Sequence, residues 1–313
     1  FGEISSEYAP SYAAVAIGTS GTTGGPKEVL LTSTALISSA RASNKFIGAQ
    51  SGDTWSLLLP LTHIAAVNVI VRSMELGTTP IDLRDFVGEF PKANYTAIVP
   101  TQLFRALNGD QRLLNHLRST KAVLVGGAAL SEGLRNQAEL AGIKVITTYG
   151  MTETCGGCVY DGMPLEGVQV EIRNEQICIK GPVLASSIPL NDGWFETTDI
   201  GEFNNDHLVV IGRSDDVIIS GGENLSLSAV ENSLSLAFPD TQFAAFAIQD
   251  SQWGQSLQLA VVGTISDDQI TAHLEKELGY FAKPKGIHHM TSLPLLGIGK
   301  IDRKSLAKGF ANE

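Results

Sequence analysis

The densest set of groups that could grip an anion lies near the start of this 313-residue chain, in Ile17-Gly18-Thr19-Ser20-Gly21-Thr22-Thr23-Gly24-Gly25-Pro26-Lys27. Glycines at 18, 21, 24 and 25 let the backbone turn through positive φ and bring its N–H groups close to a phosphate. Thr19, Ser20, Thr22 and Thr23 add hydroxyl donors, and Lys27 adds positive charge at the rim. This is not a Walker A loop, because Pro26 separates the glycines from the lysine. A flexible Gly/Ser/Thr linker is the competing reading. It is the weaker one, since a linker rarely fixes a Pro-Lys pair and then runs into Val29-Leu30-Leu31.

Five further stretches combine reactive side chains with glycine or a strand end. They are Pro60-Leu61-Thr62-His63, Gly126-Gly127-Ala128, Thr148-Tyr149-Gly150-Met151-Thr152-Glu153, the run from Trp194 to Asp199 continued by Gly212-Arg213-Ser214-Asp215-Asp216, and Gly297-Ile298-Gly299-Lys300-Ile301-Asp302-Arg303. Taken alone, His63 is more often a satisfied histidine at a helix start. Small residues at 126–128 would let a flat base approach the backbone. Lys300, flanked by glycines and anchored by Ile298 and Ile301, reads as a presented loop rather than a solvated surface charge.

In type and order these stretches resemble the signature motifs of the adenylate-forming superfamily, which includes the acyl-CoA synthetases, the luciferases and the adenylation domains of peptide synthetases. The resemblance runs from Thr19 to Arg303. It implies that Thr19, Ser20, Gly21, Thr22, Thr23, Gly24 and Lys27 hold phosphates, and that Gly126, Gly127 and Ala128 lie along adenine. It further implies that Tyr149, within Thr148, Gly150 and Met151, stacks on the base, that Thr152 contacts the α-phosphate, and that Glu153 binds Mg²⁺, a hard cation that takes oxygen ligands. Asp199 and Arg213 would meet the ribose, and Ser220-Gly221-Gly222-Glu223-Asn224 would turn toward the pantetheine of coenzyme A. Asp215 matches the hinge of the small domain, Lys300 the lysine that reaches the acyl carboxylate and α-phosphate, and His63 borders the acyl pocket. ATP, Mg²⁺, coenzyme A and a carboxylic acid are thus the expected ligands. Two departures are visible: little chain precedes the phosphate loop, so the N-terminal domain is expected to be shortened, and Glu28 stands where members usually carry glycine.

Within the superfamily, the run from Tyr149 to Gly162 followed by Pro164-Leu165 resembles the short-form 2-succinylbenzoate–CoA ligases of menaquinone synthesis. That resemblance puts Arg72, nine residues after His63, near the substrate's carboxylate. From the residues alone, an arginine within Val67 to Met74 is odd on an apolar helix and needs a partner; a structural ion pair is the equal alternative. An adenylating ligase for another acid, and a non-catalytic nucleotide-binding relative, are the other readings. An amino-acid substrate is disfavoured, because His63-Ile64-Ala65-Ala66-Val67-Asn68 has no aspartate for an amine.

The elements that must position these residues follow from pattern. Ala13 to Ile17 reads as a strand, Thr32 to Gly48 as a helix opened by a hydroxyl cap and closed by glycine, Thr54 to Leu59 as a strand and His63 to Leu76 as a helix. Short β-prone runs at Tyr95, Ala122 and Val145 alternate with helical segments, which favours an α/β fold with a mainly parallel sheet. Alternating runs on either side of Asn174-Glu175, and a second candidate pair with Trp194-Phe195 and Gly201 to Phe203 on one side and His207 to Ile211 on the other, add an antiparallel portion. From Val217 the chain reads as a small α+β unit with capping boxes at Ser228–Glu231 and Ser266–Gln269. The expected division is 1–214 for nucleotide and acyl group and 215–313 for a small mobile domain.

Composition narrows the partners. With 33 acidic against 22 basic residues the net charge is -11, which argues against nucleic acid or an anionic membrane as the main partner. No apolar run approaches the ~20 residues of a bilayer span and no signal-peptide pattern opens the chain, so a cytoplasmic location is expected. A homo-oligomer is left open. Three cysteines are too few and too odd in number for a disulfide framework, and Cys155-Gly-Gly-Cys158 lacks the second pair of a zinc site.

Overall fold

The computed structural model describes residues 13–20, 26–220, 222–250, 254–295 and 301–310; at Thr19, Ser20, Pro26, Lys27 and Asp215 only the backbone is described. The chain divides into two compact units. The first comprises Phe1–Leu130, Gln137–Thr197 and Phe203–Val209, and the second Ser131–Asn136, Thr198–Glu202 and Val210–Glu313.

In chain order the first elements are β1 (Val15–Ser20), β2 (Pro26–Leu31), α1 (Ser33–Phe46), β3 (Trp55–Leu57), α2 (Ile64–Glu75), β4 (Ile81–Asp82), β5 (Tyr95–Ile98), α3 (Pro100–Leu107), α4 (Gln111–Ser119), β6 (Ala122–Val125) and α5 (Glu132–Leu140). Then come β7 (Val145–Met151), β8 (Gly156–Tyr160), β9 (Met163–Pro164), β10 (Gln169–Arg173), β11 (Gln176–Lys180), β12 (Phe195–Asn204) and β13 (His207–Arg213). Seven of these strands form one sheet in the order β4-β3-β5-β6-β7-β8-β9, parallel from β4 to β7 and antiparallel from β7 to β9. Every residue of β3, β5 and β6 is buried. Such strands read as continuous apolar runs because a parallel sheet is covered on both faces.

Local chemistry sets where the helices start. The Thr32 hydroxyl accepts the Ala35 N–H at 3.1 Å and opens α1, and Gly48, at φ +68°, ends the same segment. At α2, His63 is the N-cap residue without a side-chain cap, so the helix begins directly after the Pro60 turn. The strand expected at Ala13 to Ile17 runs instead over Val15–Ser20 and pairs antiparallel with β2, with Thr19 opposite Lys27 and Ser20 opposite Pro26. The described residues that flank the Gly/Thr motif therefore lie on two paired strands. The β10–β11 hairpin turns at Asn174 and Glu175 (φ 49° and 66°), and β12–β13 turns at Asn205 and Asp206 (φ 47° and 64°), both with the left-handed pair that a two-residue turn requires.

The second unit contains β14 (Val217–Ser220), β15 (Glu223–Ser226), α6 (Leu227–Ala237), β16 (Gln242–Asp250), β17 (Gly254–Val262), α7 (Asp267–Leu278), β18 (Gly286–His289) and α8 (Arg303–Phe310). Its sheet runs β15-β14-β17-β16, and β18 adds a parallel strand on β17. Leu227, Val230, Leu234, Phe243, Leu259 and Ile270 are among its buried core. The Ser266–Gln269 capping box forms as expected. The one expected at Ser228 does not: α6 is capped by Ser226, whose hydroxyl accepts the Ala229 N–H at 3.2 Å, and Glu231 is drawn away to bind the Ala245 N–H and Arg303. Among the described residues no helix is long and apolar enough to cross a membrane.

Candidate active site

The carboxyl ends of the parallel strands carry the motifs at 60–63, 126–128 and 148–153, as expected for open α/β sheets, where ligands meet loops that leave those ends. Val125 on β6 is in register with Thr147 on β7, which brings Gly126 beside Thr148. A Cβ at Gly126 would stand 2.1 Å from the Thr148 hydroxyl oxygen and 3.0 Å from its carbonyl oxygen, so the close approach of the two backbones requires glycine. Gly127 follows at φ +84°, and it and Ala128 are exposed. On β7 the register slips between Tyr149 and Gly150. Gly150 has φ +158°, and a Cβ there would meet the Gly156 carbonyl oxygen at 2.1 Å. The bulge ends the regular pairing where Met151 passes into the short 3-10 turn Thr152–Thr154. Buried Thr154 braces that turn: its hydroxyl accepts the Met151 N–H at 2.9 Å and donates to the Gly156 carbonyl at 2.7 Å.

One segment ties this turn to the phosphate hairpin. Ala185 N–H donates to the Glu153 carbonyl at 2.8 Å, Ser186 N–H to the Leu30 carbonyl at 3.0 Å, and the Ser187 hydroxyl accepts the Leu30 N–H at 2.9 Å. Beneath these bonds Ile17, Val29, Leu31, Ile64, Cys155, Ala185 and Ile188 share one apolar cluster. The hairpin, the start of α2 beside His63 and the Thr152–Thr154 turn are thereby held on a common base. Gly21, Thr22, Thr23 and Gly24 lie outside the described residues, as do the small-domain Gly221 and Lys300.

Arg72 lies on α2 about two and a half turns beyond His63, about 13 Å along the helix axis at 1.5 Å per residue. It is 3% exposed. Its Nη2 donates to the Tyr160 hydroxyl at 2.9 Å, and its guanidinium carbon stands 5.1 Å from the centroid of the Trp55 ring. Among the described residues no carboxylate pairs with it, and its Nε has no hydrogen-bond partner. Among the described residues the structural ion pair does not form.

In the second unit, Asp199 on β12 and Arg213 on β13 are brought together: Arg213 Nη1 is 3.4 Å from Asp199 Oδ1, and Nη2 donates to the Thr198 hydroxyl at 2.8 Å. Asp199 is buried and Arg213 half-exposed. Asp215 follows within the 3-10 turn Ser214–Asp216. Arg303, three residues after Lys300, bonds Glu231 at 2.8 Å, the Ala245 carbonyl at 2.9 Å and Asp216 at 3.7 Å.

Cys155 and Cys158 are buried and free, and burial pushes both thiols up to about 12, which leaves them protonated and poor as metal ligands or nucleophiles. Among the described residues no cluster of His, Cys, Asp and Glu could by itself hold a metal ion. A magnesium ion here would take one carboxylate, Glu153, and complete its shell from nucleotide phosphates and water, the habit of a small cation that dehydrates reluctantly.

Sequence reasoning did not single out the supports: Thr154, the 185–187 segment, and Trp55, Asn68 and Tyr160 around Arg72. Asn68 carried a signal, being a second polar residue one turn before Arg72 on an apolar helix; the others did not.

A family profile described as AMP-binding enzyme matches residues 3–186. The chain is 36% identical over 331 aligned residues to a Mycobacterium tuberculosis protein named "Probable 2-succinylbenzoate–CoA ligase", covering 96% of this chain and 85% of that one. Among solved structures it is similar to an Arg-to-Lys variant of E. coli MenE with bound OSB-AMS, with a TM-score of 0.84, 27% identity, and 97% of this chain and 70% of that one covered. It is also similar to the o-succinylbenzoate coenzyme A synthetase (MenE) of Bacillus subtilis in complex with ATP and magnesium ion, with a TM-score of 0.77, 26% identity, and 93% and 69% covered.

Proposed function

We propose that this chain, which belongs to the AMP-binding enzyme family, ligates 2-succinylbenzoate to coenzyme A in menaquinone synthesis, in the cytoplasm. A carboxylate oxygen attacks the α-phosphorus of ATP and expels pyrophosphate, giving the acyl-adenylate. The coenzyme A thiol, losing its proton, then attacks the acyl carbonyl and expels AMP.

The protein's part is positioning and charge stabilisation. The run from Thr19 to Gly24 with Lys27 takes the triphosphate. Tyr149 stacks on adenine next to Gly126, Gly127 and Ala128, and Asp199 accepts hydrogen bonds from the ribose hydroxyls with Arg213 beside it. Thr152 meets the α-phosphate. Magnesium, when held by Glu153 and the phosphates, supplies neutralisation of their charge. Lys300 reaches the acyl carboxylate and α-phosphate in the first step only, and Asp215 is the hinge about which the small domain turns between steps.

The observation that carries the choice of acid is Arg72, a buried guanidinium with no carboxylate partner among the described residues. A buried charge left unpaired is costly, and a dicarboxylic acid has a second carboxylate to offer it. His63 at the start of the same helix borders the end where the activated carboxylate lies. The test is a panel of acids with MgATP and coenzyme A, followed by mass spectrometry and pyrophosphate release. 2-Succinylbenzoate should give thioester, AMP and pyrophosphate in equal amounts. No acid-dependent pyrophosphate with any member of the panel would mean a nucleotide-binding protein without turnover.

A further inference from the structure

Resting on that reading of Arg72, we propose that Tyr160 positions the Arg72 guanidinium and thereby sets the preference for a dicarboxylic acid, with Trp55 as the wall it lies against. The face Ile64, Asn68, Arg72 of α2 runs along β8. At one end Asn68 Nδ2 donates to the Cys155 carbonyl at 2.6 Å, and at the other Arg72 Nη2 donates to the Tyr160 hydroxyl at 2.9 Å. Tyr160 is fully buried, its ring edge-on to Phe46 at 5.3 Å, and its hydroxyl lies 2.8 Å from the Ser43 hydroxyl on α1. The phenol oxygen accepts from Arg72 and shares a second hydrogen bond with the Ser43 hydroxyl. Arg72, Tyr160 and Ser43 therefore form one continuous hydrogen-bonded chain. Asn44, the next residue on α1, holds the Arg72 carbonyl through Nδ2 at 3.0 Å, so α1 meets this arginine's backbone directly and its guanidinium through Tyr160.

A guanidinium carries five donors in a rigid fork and recognises a carboxylate through two parallel hydrogen bonds only when its plane is set. Here Nη2 is committed to Tyr160 and the group lies near Trp55, while Nε has no partner among the described residues. The Trp55 indole nitrogen also lacks one. A guanidinium and the indole it lies over, each with an unpartnered buried donor, keep hydrogen-bonding capacity for an anionic oxygen. Tyr160 touches neither reacting atom. It acts through Arg72, so its removal should change how well the acid binds rather than how fast the bound acid reacts.

The experiment compares kcat and KM for 2-succinylbenzoate and for the monocarboxylate analogue that wild type still turns over, in Tyr160→Phe, Ser43→Ala and Arg72→Ala. Tyr160→Phe keeps the ring and should raise KM for 2-succinylbenzoate about tenfold, the scale of one lost hydrogen bond to a charged group, with kcat within about twofold. KM for the monocarboxylate should stay within about twofold. Ser43→Ala should act in the same direction by about threefold, and it decides the matter should Tyr160→Phe fail to fold. If Arg72→Ala depresses both acids alike, the reading of Arg72 is wrong. If Arg72→Ala is selective but Tyr160→Phe matches wild type or depresses both acids alike, only the positioning role falls; an unchanged KM in Ser43→Ala, with Tyr160→Phe unfolded, overturns it equally.

Discussion

Gly150 shows how narrowly single residues constrain this site. It stands where Tyr149 leaves the regular ladder, and any Cβ would lie 2.1 Å from a backbone carbonyl oxygen that cannot swing aside as a side-chain tip could. Gly150→Ala should lower unfolding free energy by about 2–3 kcal/mol, the usual cost of overpacking, and should weaken ATP binding, measured by urea denaturation and by titration calorimetry. Wild-type stability in that variant would mean the bulge is soft. The two cysteines make a second test at this scale. Burial pushes Cys155 and Cys158 up to about 12, whereas an unfolded thiol titrates near 9. The unfolded chain therefore releases these protons first as pH rises, so stability is full below about pH 9 and is lost toward pH 12, by about 1.4 kcal/mol per unit for each thiol. Tyr95, also raised to about 12 by burial and by Asp53, adds in the same direction. Urea midpoints at pH 8, 9 and 10 should fall accordingly, and a flat series would show that the thiols are not buried.

At the scale of elements, the first residue of α8 locks the second unit together. Arg303 is the charge partner of Glu231 on α6, and burial raises the Glu231 carboxyl against the opposing pull of that guanidinium. Arg303→Ala should cost about 2–3 kcal/mol at pH 7, below the 3–5 of a fully buried pair because both side chains keep some exposure. Removing the arginine lifts the Glu231 carboxyl further, so it takes up its proton at a higher pH than in wild type, and the deficit relative to wild type should shrink between pH 7 and pH 5. Thermal melts at the two pH values check the sign. This pair also marks where reading from sequence stopped. Short-range chemistry was legible: the Thr32 cap with Gly48, the Ser266 capping box and the Asn174-Glu175 turn each depend on residues within a few positions. The cap of α6 was misplaced by two residues, because Ser226 and Ser228 are chemically equal and the choice fell to Glu231, whose partners come from β16 and α8. Strand β2 was missed because Lys27 to Leu31 reads as the exit of a loop until it is seen paired with β1. Tyr160 sits in a run quoted for its order of residues, yet nothing local says that its hydroxyl meets an arginine 88 positions earlier.

For the whole molecule, the account requires two steps performed in succession and one acid preferred over others. With Asp215 as the hinge, Asp215→Pro fixes φ near −65° and should keep ATP–pyrophosphate exchange while losing thioester formation. Lys300→Ala should do the reverse, lowering acyl-adenylate formation by about 10²–10³ while thioester formation from supplied acyl-adenylate persists. Equal loss of both half-reactions in either variant would remove the division of labour. The measurement that bears most directly on the central claim is the ratio of kcat/KM for 2-succinylbenzoate to that for a monocarboxylate analogue, in wild type and in Arg72→Ala. A buried guanidinium that awaits a second carboxylate predicts a strong wild-type preference that falls by about 2–5 kcal/mol in the variant, with ATP affinity little changed. Loss of both substrates by the same factor would contradict it, and would leave Arg72 as a residue of the fold alone.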